Sequence, residues 1–297
     1  MSRLIESILI PTDGSEGALA GARHGIALAS RTDADVHVLS VVEAPAGADD
    51  AEINLPLSSL EERAEEAVEA VAAMVREHDP ALDVESAVRR GTPFQSIREY
   101  ASRREIDVVA MGTKGRSGLA GFLLGSVTEN VIRTARTPVL AVPPDDDHPS
   151  ADVIFDDLLL PTDGSEGAAI ATEWGIALAT ELESMVHALN AVDTSPFSGE
   201  RDPGDIVSAL EERGEAAIET VRERARDAGV SVSGSVATGS PAKAILAYAT
   251  DHDVDLIVMG THGQTGIGQW FLGSVTENVI RGADVPVFCV PVSAESP

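Results

Sequence analysis

Two short motifs, each present twice in the chain, carry residues whose chemistry suits a phosphorylated ligand. The first is the turn Pro11-Thr12-Asp13, which recurs as Pro161-Thr162-Asp163. The second has the spacing G-x2-G-x9-G-[ST] and recurs in the other half of the chain. Glycines let a backbone approach a ligand closely, and a helix that opens after such a loop offers unpaired amides to an anion. The two motifs therefore predict a polyphosphate site in each half.

The glycine loop is the part that suits phosphate. Gly112 and Gly115 are expected to turn with positive φ and to let the backbone come close to a ligand. Gly125 and Ser126 open the next helix, whose positive dipole end attracts an anion. The hydroxyl groups of Ser126 and Thr128 are expected to add donors beside those amides. This stretch is therefore predicted to hold the phosphates.

The carboxylates of the turn allow two interpretations. Asp13 and Asp163 suit an adenine amino group or a ribose hydroxyl, because a carboxylate accepts hydrogen bonds and repels phosphate. Alternatively, each aspartate caps the helix that follows it, a role that is compatible with ligand contact. The glycines likewise allow a purely structural interpretation, as a tight loop packed on the sheet without a ligand.

The chain repeats itself along most of its length. The stretch PTDGSEGA occurs at 11–18 and at 161–168, and LGSVTENVIR occurs at 124–133 and at 272–281. Such self-similarity sets the organisation of the chain. The sequence is therefore a tandem repeat.

A proline- and aspartate-rich stretch separates the two halves. PPDDDHPSAD at 143–152 contains three prolines and cannot continue a strand or a helix. We predict a first domain at 1–143, a linker at 144–152 and a second domain at 153–297.

Within each repeat, apolar strands alternate with amphipathic helices. This order predicts an α/β fold made of two tandem doubly wound domains, each with a parallel sheet flanked by helices. The Val-, Ile- and Leu-rich strands lack polar alternation, as expected of strands buried on both faces. The pair Thr92-Pro93 predicts a helix with a capping threonine and a proline in its first position. In such sheets, ligands bind beyond the carboxyl ends of the strands, where the strand order reverses.

Together, the turn, the glycine loop and the closing strand that begins Thr137-Pro138-Val139 resemble the ATP-binding branch of the universal stress protein family. The resemblance covers nearly all of both halves. It implies five parallel strands in the order 3-2-1-4-5 and binding of ATP, ADP or AMP in each repeat, with a divalent cation such as Mg²⁺ across the phosphates. It also implies an intrachain pair formed through the last strands, at Pro138-Val139-Leu140 and Pro286-Val287-Phe288, and possible homodimers.

The resemblance also implies a set of nucleotide-binding residues in each repeat. In the first repeat these are Pro11, Thr12, Asp13 and Val41 around the base, then Met111, Gly112, Gly115, Arg116, Gly125, Ser126, Val127 and Thr128 along the strand end and the loop. In the second repeat they are Pro161, Thr162, Asp163, Ala191, Met259, Gly260, Gly263, Gly273, Ser274, Val275 and Thr276.

The charge balance is informative about the environment of the protein. The 297-residue chain has 49 Asp and Glu against 21 Lys and Arg, a formal net charge of -28, and its only lysines are Lys114 and Lys243. Such a surface is typical of proteins kept soluble in concentrated salt, so we predict a halophilic protein; an ordinary acidic protein is the alternative. The same charge disfavours binding to nucleic acid or to anionic membranes.

The apolar content predicts a protein that stays in the cytoplasm. Hydrophobic residues make up 43% of the chain, no apolar run is long enough to cross a bilayer, and the amino terminus lacks the pattern of a signal peptide. Cys289 is the only cysteine and is expected to be an inert core residue, with no disulfide and no metal site. No metal-binding residues are predicted.

The leading function is a nucleotide-dependent stress-response or signalling protein. One alternative is a nucleotide-free scaffold that works by dimerisation with partners. A second is an enzyme, since the fold resembles adenylate-forming and electron-transfer flavoprotein relatives. The sequence lacks a G-x4-G-K-[ST] loop and a G-x-G-x-x-G loop after its first strand. It also shows no histidine–carboxylate set common to both repeats. We therefore expect no catalytic residues and, at most, a slow ATPase.

Overall fold

The protein is described here by a computed structural model that covers residues 3–43, 57–114, 124–144, 153–194, 204–263, 272–294 and 297. It divides into two compact units, Met1–Val153 and Ile154–Pro297.

The first unit alternates strands and helices in chain order. Its elements are β1 Ser7–Pro11, α1 Glu16–Thr32, β2 Asp35–Val42, α2 Leu57–His78, β3 Val84–Arg90, α3 Pro93–Arg103, β4 Val108–Gly112, α4 Ser126–Thr134 and β5 Val139–Val142.

The sheet of this unit is parallel, with the strand order β3-β2-β1-β4-β5. Ser7 of β1 is aligned with Asp35 of β2, and Ile8 is aligned with Val108 of β4. The strand order reverses between β1 and β4, because the chain moves outward to β3 before it crosses back to β4. The carboxyl ends of β1 and β4 therefore flank the topological switch point, where open α/β sheets bind ligands.

The second unit repeats this plan. Its elements are β6 Asp157–Pro161, α5 Glu166–Leu182, β7 Met185–Val192, α6 Gly204–Asp227, β8 Val232–Thr238, α7 Pro241–Asp251, β9 Leu256–Gly260, α8 Ser274–Gly282 and β10 Val287–Val290. Its strands are parallel and follow the order β8-β7-β6-β9-β10. The prediction of an α/β fold with tandem domains and the strand order 3-2-1-4-5 is confirmed.

The strands form the core of each unit. All residues of β4, β5, β9 and β10 are buried, as the unbroken apolar runs predict for strands covered on both faces. Cys289 lies in this core, and burial raises the pKa of its thiol above the ordinary value. Trp174 of α5 is also buried and packs against Phe288 of β10 with ring centroids 6.1 Å apart. Cys289 and Trp174 are therefore core residues.

The helix starts follow the local sequence, with one difference. The side chain of Ser15 caps α1 by accepting a hydrogen bond from the amide of Ala18, and Ser165 does the same for Ala168 in α5. Thr92 stands at the cap position of α3 before Pro93, as predicted, but its side chain makes no capping hydrogen bond. The proline therefore marks the start of α3. The predicted position of the threonine is correct, but its predicted capping hydrogen bond is absent.

Candidate functional site

The turn after the first strand forms alike in both units. The amide of Thr12 donates to the carbonyl oxygen of Leu39 at 2.8 Å, which extends the pairing of β1 with β2 by one residue. Gly14 then turns with φ +77°, a conformation that glycine adopts readily, and its amide donates to the Thr12 hydroxyl oxygen at 3.1 Å. In the second unit Gly164 has φ +75°. The turn therefore ends β1 at the switch point and leads directly into α1.

Asp13 supports the start of α1 without being its cap. One carboxylate oxygen, Oδ1, accepts hydrogen bonds from the amide of Ser15 at 3.0 Å and from the Ser15 hydroxyl at 2.5 Å. Ser15 itself is the cap residue. Asp163 accepts from the amide of Ser165 at 2.9 Å in the same way. The capping interpretation of these aspartates is therefore correct only in part, since each aspartate orients the serine that caps.

The first turn of α1 lies against the end of β4 at very short range. A Cβ built on Gly17 would lie 1.9 Å from the carbonyl oxygen of Lys114, and one on Gly112 would lie 2.0 Å from the carbonyl oxygen of Gly17. In the second unit, a Cβ on Gly167 would lie 2.2 Å from the carbonyl oxygen of His262. These contacts bring the turn after β1 and the loop after β4 together, because only glycine leaves room for the two backbones.

Gly112 has a different role from the one predicted. We expected it to turn with positive φ, but it is the last residue of β4 and is absent from the positive-φ glycines of the described residues. Its hydrogen side chain is needed instead for the contact with Gly17. Gly260 likewise ends β9 and lies close to Gly167.

Backbone and hydroxyl hydrogen bonds close the base of the glycine loop. The amide of Gly125 donates to the carbonyl oxygen of Thr113 at 2.7 Å, and the amide of Thr113 donates to the carbonyl oxygen of Val142 at 2.7 Å. The hydroxyl of Thr128 donates to the carbonyl oxygen of Gly112 at 2.7 Å. The Thr128 proton is therefore used inside the fold, which contradicts the expectation that it is a donor for ligand.

The second unit closes its loop with matching bonds. The amide of Gly273 donates to the carbonyl oxygen of Thr261 at 2.8 Å, and the Thr276 hydroxyl donates to that of Gly260 at 2.8 Å. These bonds tie the start of α8 to Gly260, the last residue of β9, and to Thr261, which follows it.

The amino end of α4 has no side chain of its own to cap it. Its cap residue is Gly125, with φ -61° and ψ 136°, and Gly273 of α8 has φ -60° and ψ 137°. The first amides of a helix have no partner inside the helix, and glycine cannot supply one. Among the described residues, no side chain caps the first amides of either helix at the switch point, whereas α1 and α5 are capped by their own serines.

In the second unit the turn and the loop are within contact distance of each other. A Cβ built on Gly263 would lie 2.9 Å from Oδ2 of Asp163. His262 precedes that glycine, and its Nδ1 lies 2.9 Å from the hydroxyl oxygen of Thr261. Its Nε2 is buried and has no hydrogen-bond partner within the described residues. The two motifs therefore meet at one edge of the sheet.

The structure distributes the predicted residues over three neighbouring strand ends. The turn residues end or follow β1 and β6, and Val41 and Ala191 are the last but one residues of β2 and β7. Met111 and Met259 are buried near the ends of β4 and β9. The loop positions within the described residues are Gly112, Gly125, Ser126, Val127, Thr128, Gly260, Gly263, Gly273, Ser274, Val275 and Thr276. The predicted positions Gly115 and Arg116 lie outside the described residues, as does Gln264.

Sequence reasoning missed two pairs of residues that build this site. Gly17 and Gly167 allow the close approach of the helix, and Thr113 and Thr261 anchor the loop. A signal was present, since Gly17 lies in the repeated PTDGSEGA and Thr113 follows the repeated Met-Gly.

A second polar cluster in each unit lies away from this site. His37 of β2 lies 3.0 Å from the Tyr100 hydroxyl through Nδ1 and 3.8 Å from Glu85. At the matching position, Nδ1 of His187 lies 3.1 Å from the Tyr248 hydroxyl. Each repeat therefore has a histidine that joins a strand to the helix beyond it; His187 is buried, and His37 is partly buried.

The carboxylate beside each histidine comes from a different position in the two repeats. Glu85 belongs to β3, whereas the partner of His187 is Asp157, the first residue of β6, at 2.8 Å from Nε2. Each repeat thus has a histidine–carboxylate contact, but the two contacts use carboxylates at different positions, so these contacts form no set common to both repeats, in line with the prediction from sequence. The histidines lie near the amino ends of β2 and β7, at the opposite end of the sheet from the glycine loop.

Two kinds of site are absent from the described residues. No group of three or more His, Cys, Asp or Glu side chains is placed to hold a metal ion in the described ranges. Among the helices described above, none combines the length and the apolar character that a bilayer crossing requires.

Comparison with known proteins agrees with this architecture. The family model described as the universal stress protein family matches residues 5–143 and 155–291. A universal stress protein of Methanocaldococcus jannaschii is 38% identical over 140 residues, which cover 46% of this chain and 82% of the relative. A universal stress protein of Mycobacterium tuberculosis is 32% identical over 216 residues, which cover 70% of this chain and 69% of the relative.

A solved structure supports the fold over both repeats. The universal stress protein from Archaeoglobus fulgidus DSM 4304 superposes with a TM-score of 0.72 at 24% identity and covers 96% of each chain. From the two family matches, the repeated motifs and the strand order of each unit, the chain belongs to the universal stress protein family.

Proposed function

We propose that each repeat binds ATP, or ADP or AMP, at the switch point of its sheet, and that the bound state acts as a signal in a stress response. One contrast between the two helices at this point carries the proposal. Ser15 caps α1, whereas the cap position of α4 is Gly125, and no side chain in the described part of the chain caps the first amides of α4. Uncapped amides at the positive end of a helix attract phosphate oxygens.

The surroundings of these amides support one orientation of the nucleotide. The phosphates are proposed to lie over Gly125, Ser126 and the glycine loop. Asp13 follows the neighbouring strand, and its carboxylate suits an amino or hydroxyl group. The base and ribose are therefore proposed to lie toward the turn and Val41. In the second repeat the same orientation uses Asp163, Ala191 and Gly273.

A divalent cation is proposed to arrive with the nucleotide. Mg²⁺ is commonly held by phosphate oxygens and water together with few protein ligands. The described part of the loop, Gly112–Lys114 and Leu124–Thr128, contributes no carboxylate, so the phosphates would be its main ligands. We therefore expect chelation to weaken ATP binding and to have less effect on AMP binding.

Gly125 offers a direct test. Its φ of -61° is open to any residue, so Gly125→Asp is expected to fold and to cap α4 with its own carboxylate. That carboxylate would compete for the amides and repel phosphate. Gly125→Asn is the matched control, since it caps without charge. Calorimetric affinity for ATP in the first repeat is expected to fall in the order glycine, asparagine, aspartate.

The purified chain provides the second part of the test. Mass spectrometry of ligand released from it is expected to detect adenine nucleotide. A chain that retains none, together with ATP affinity that is equal in the glycine and aspartate forms, would contradict the proposal. Such a result would favour the scaffold alternative.

A further inference from the structure

The second unit contains a buried polar side chain directly beneath the turn of its candidate site. Asn190 of β7 is only 8% exposed, and its Nδ2 donates to the carbonyl oxygen of Thr162 at 2.7 Å. Thr162 is the middle residue of the turn after β6, between Pro161 and Asp163. A side chain from one strand thus holds the turn that ends the neighbouring strand.

Asn190 fits there because α6 has a glycine opposite it. A Cβ built on Gly214 would lie 2.5 Å from Oδ1 of Asn190 and 3.0 Å from its Cγ. A methyl group at 214 would therefore push the amide away and break its bond to Thr162. This explains a glycine in the interior of a helix, where it costs about 1 kcal/mol relative to alanine.

The first unit has a different pair at the two matching positions. Ser40 stands in β2 where Asn190 stands in β7, and Ala64 stands in α2 where Gly214 stands in α6. Both residues are buried. Compared with the second unit, the first unit therefore has a smaller side chain on the strand and a larger one on the helix. Within the described residues, no hydrogen bond runs from the Ser40 side chain to the turn of the first unit.

We propose that Asn190 and Gly214 act as a pair that fixes the turn of the second site before a ligand arrives, and that the first site lacks this device. Asn190 is thus a positioning residue. Its effect on nucleotide rests on the proposed function, whereas its effect on the turn does not. A site that is ordered in advance loses less freedom on binding and therefore binds more tightly.

The effect on the turn is measurable without any ligand. The amide of Gly164 donates to the Thr162 hydroxyl oxygen, and the amide of Ser165 donates to Asp163. In the full-length double variant Asn190→Ser with Gly214→Ala, which has the pair of the first repeat, hydrogen exchange at these two amides is expected to accelerate about threefold to tenfold. Exchange at Gly14 and Ser15 of the first turn should not change, which makes them an internal control.

The reciprocal exchange tests whether the pair is sufficient. Ser40→Asn with Ala64→Gly is expected to slow exchange at Gly14 and Ser15. The melting temperature of the Asn190→Ser, Gly214→Ala variant should stay near that of the parent. The reason is that serine and alanine already pack together at the matching positions of the first repeat. Unchanged exchange at Gly164 and Ser165 in that variant would overturn the proposal.

The effect on nucleotide is measured in the second site alone, with the first site blocked by Gly125→Asp. The Asn190→Ser, Gly214→Ala variant should bind ATP about threefold to tenfold more weakly, the same range as for the lost hydrogen bond. If exchange accelerates but affinity stays equal, the positioning role toward nucleotide is overturned. If neither repeat of the parent chain binds nucleotide, the proposed function fails, and the exchange experiment still decides whether the pair fixes the turn.

Discussion

Gly17 of α1 lies directly against the carbonyl oxygen of Lys114, so that a Cβ on Gly17 would come within 1.9 Å of that oxygen. This contact joins the helix that follows the first strand to the loop that follows the fourth. The carbonyl oxygen of Lys114 belongs to the backbone, so it cannot rotate away from an added Cβ as a side chain could. The geometry of the candidate site therefore depends on a residue that has no side chain.

We predict that Gly17→Ala destabilises the protein by about 1–3 kcal/mol, the usual cost of overpacking. The prediction has a definite sign, because alanine in an unobstructed helix would stabilise by about 0.5–1 kcal/mol. Chemical unfolding measures the difference. Glu16→Ala, at the exposed neighbouring position, is the control and should change stability by no more than about 1 kcal/mol. A more stable Gly17→Ala variant would show that the contact is not tight.

The buried hydroxyl of Thr128 gives a second prediction. Thr128→Val keeps the shape of the side chain but removes the donor to the Gly112 carbonyl, which should cost about 1–3 kcal/mol. Thr250 of α7 makes a similar bond to the Leu246 carbonyl at 3.1 Å, but it is exposed to solvent. Thr250→Val is therefore the control and should change stability by less than about 0.5 kcal/mol. Equal effects of the two substitutions on the unfolding midpoint would contradict the assigned role of Thr128.

Much of the fold follows from local patterns, whereas parts of the site depend on contacts between distant residues. The apolar runs and the repeat were enough to predict the strands, the helices and the position of the turn beyond β1. The bond from Thr128 to Gly112 could not be predicted, because Ser126 and Thr128 look alike as donors until α4 is placed on the sheet. For the same reason His37 and Tyr100 could not be paired, since 63 positions separate them and only the packing of α3 on β2 brings them together.

The pair of His37 and Tyr100 leads to a prediction about pH. Burial lowers the pKa of His37; among the nearby charges, Glu85 and Asp35 oppose this effect and Arg104 adds to it. The folded protein therefore keeps His37 neutral at pH values where the unfolded chain, with a pKa near 6.5, already binds a proton. The stabilisation that the neutral His37 contributes to the folded state is fully present above about pH 6.5. It is lost as the pH falls through the lower pKa that His37 has in the folded state.

We expect His37→Gln to remove this part of the pH dependence. Free energies of unfolding of parent and variant, measured from pH 5 to pH 8, should differ in slope below about pH 6.5 and run parallel above it. Parent and variant differ only at position 37, so the difference isolates His37. A parent protein that gains stability relative to the variant as the pH falls would contradict the assignment.

The net charge of -28 predicts that stability rises with salt. The screening length falls from about 10 Å at 0.1 M to about 3 Å at 1 M, which removes most of the repulsion between exposed carboxylates. The melting temperature should therefore increase between these concentrations of KCl. The control variant replaces the exposed Glu62, Glu65 and Glu66 of α2 by glutamine and should show a weaker increase. A melting temperature independent of salt would contradict the proposal of a halophilic protein.

The last prediction concerns the inequality of the two candidate sites. Lys114 and Arg116 stand in the loop of the first repeat, where the second repeat has His262 and Gln264. A hydrogen bond to a charged group contributes about 1.5–3 kcal/mol, and about 1.4 kcal/mol corresponds to tenfold in affinity. At low salt and pH 8, the first repeat should therefore bind ATP more tightly than the second, by up to about tenfold.

Salt separates this charge effect from the positioning effect of Asn190. Screening weakens charge–charge attraction at molar salt, whereas a buried hydrogen bond is little affected. As salt rises, the ATP affinity of the second repeat should therefore increase relative to that of the first. Single-site chains, blocked by Gly125→Asp or by Gly273→Asp, allow each affinity to be titrated alone. Exchanging the loop residues, with Lys114→His and Arg116→Gln in one chain and His262→Lys and Gln264→Arg in the other, should reverse the low-salt order. Equal affinities at low salt, unchanged by the exchange, would refute the assignment of the inequality to these loop charges.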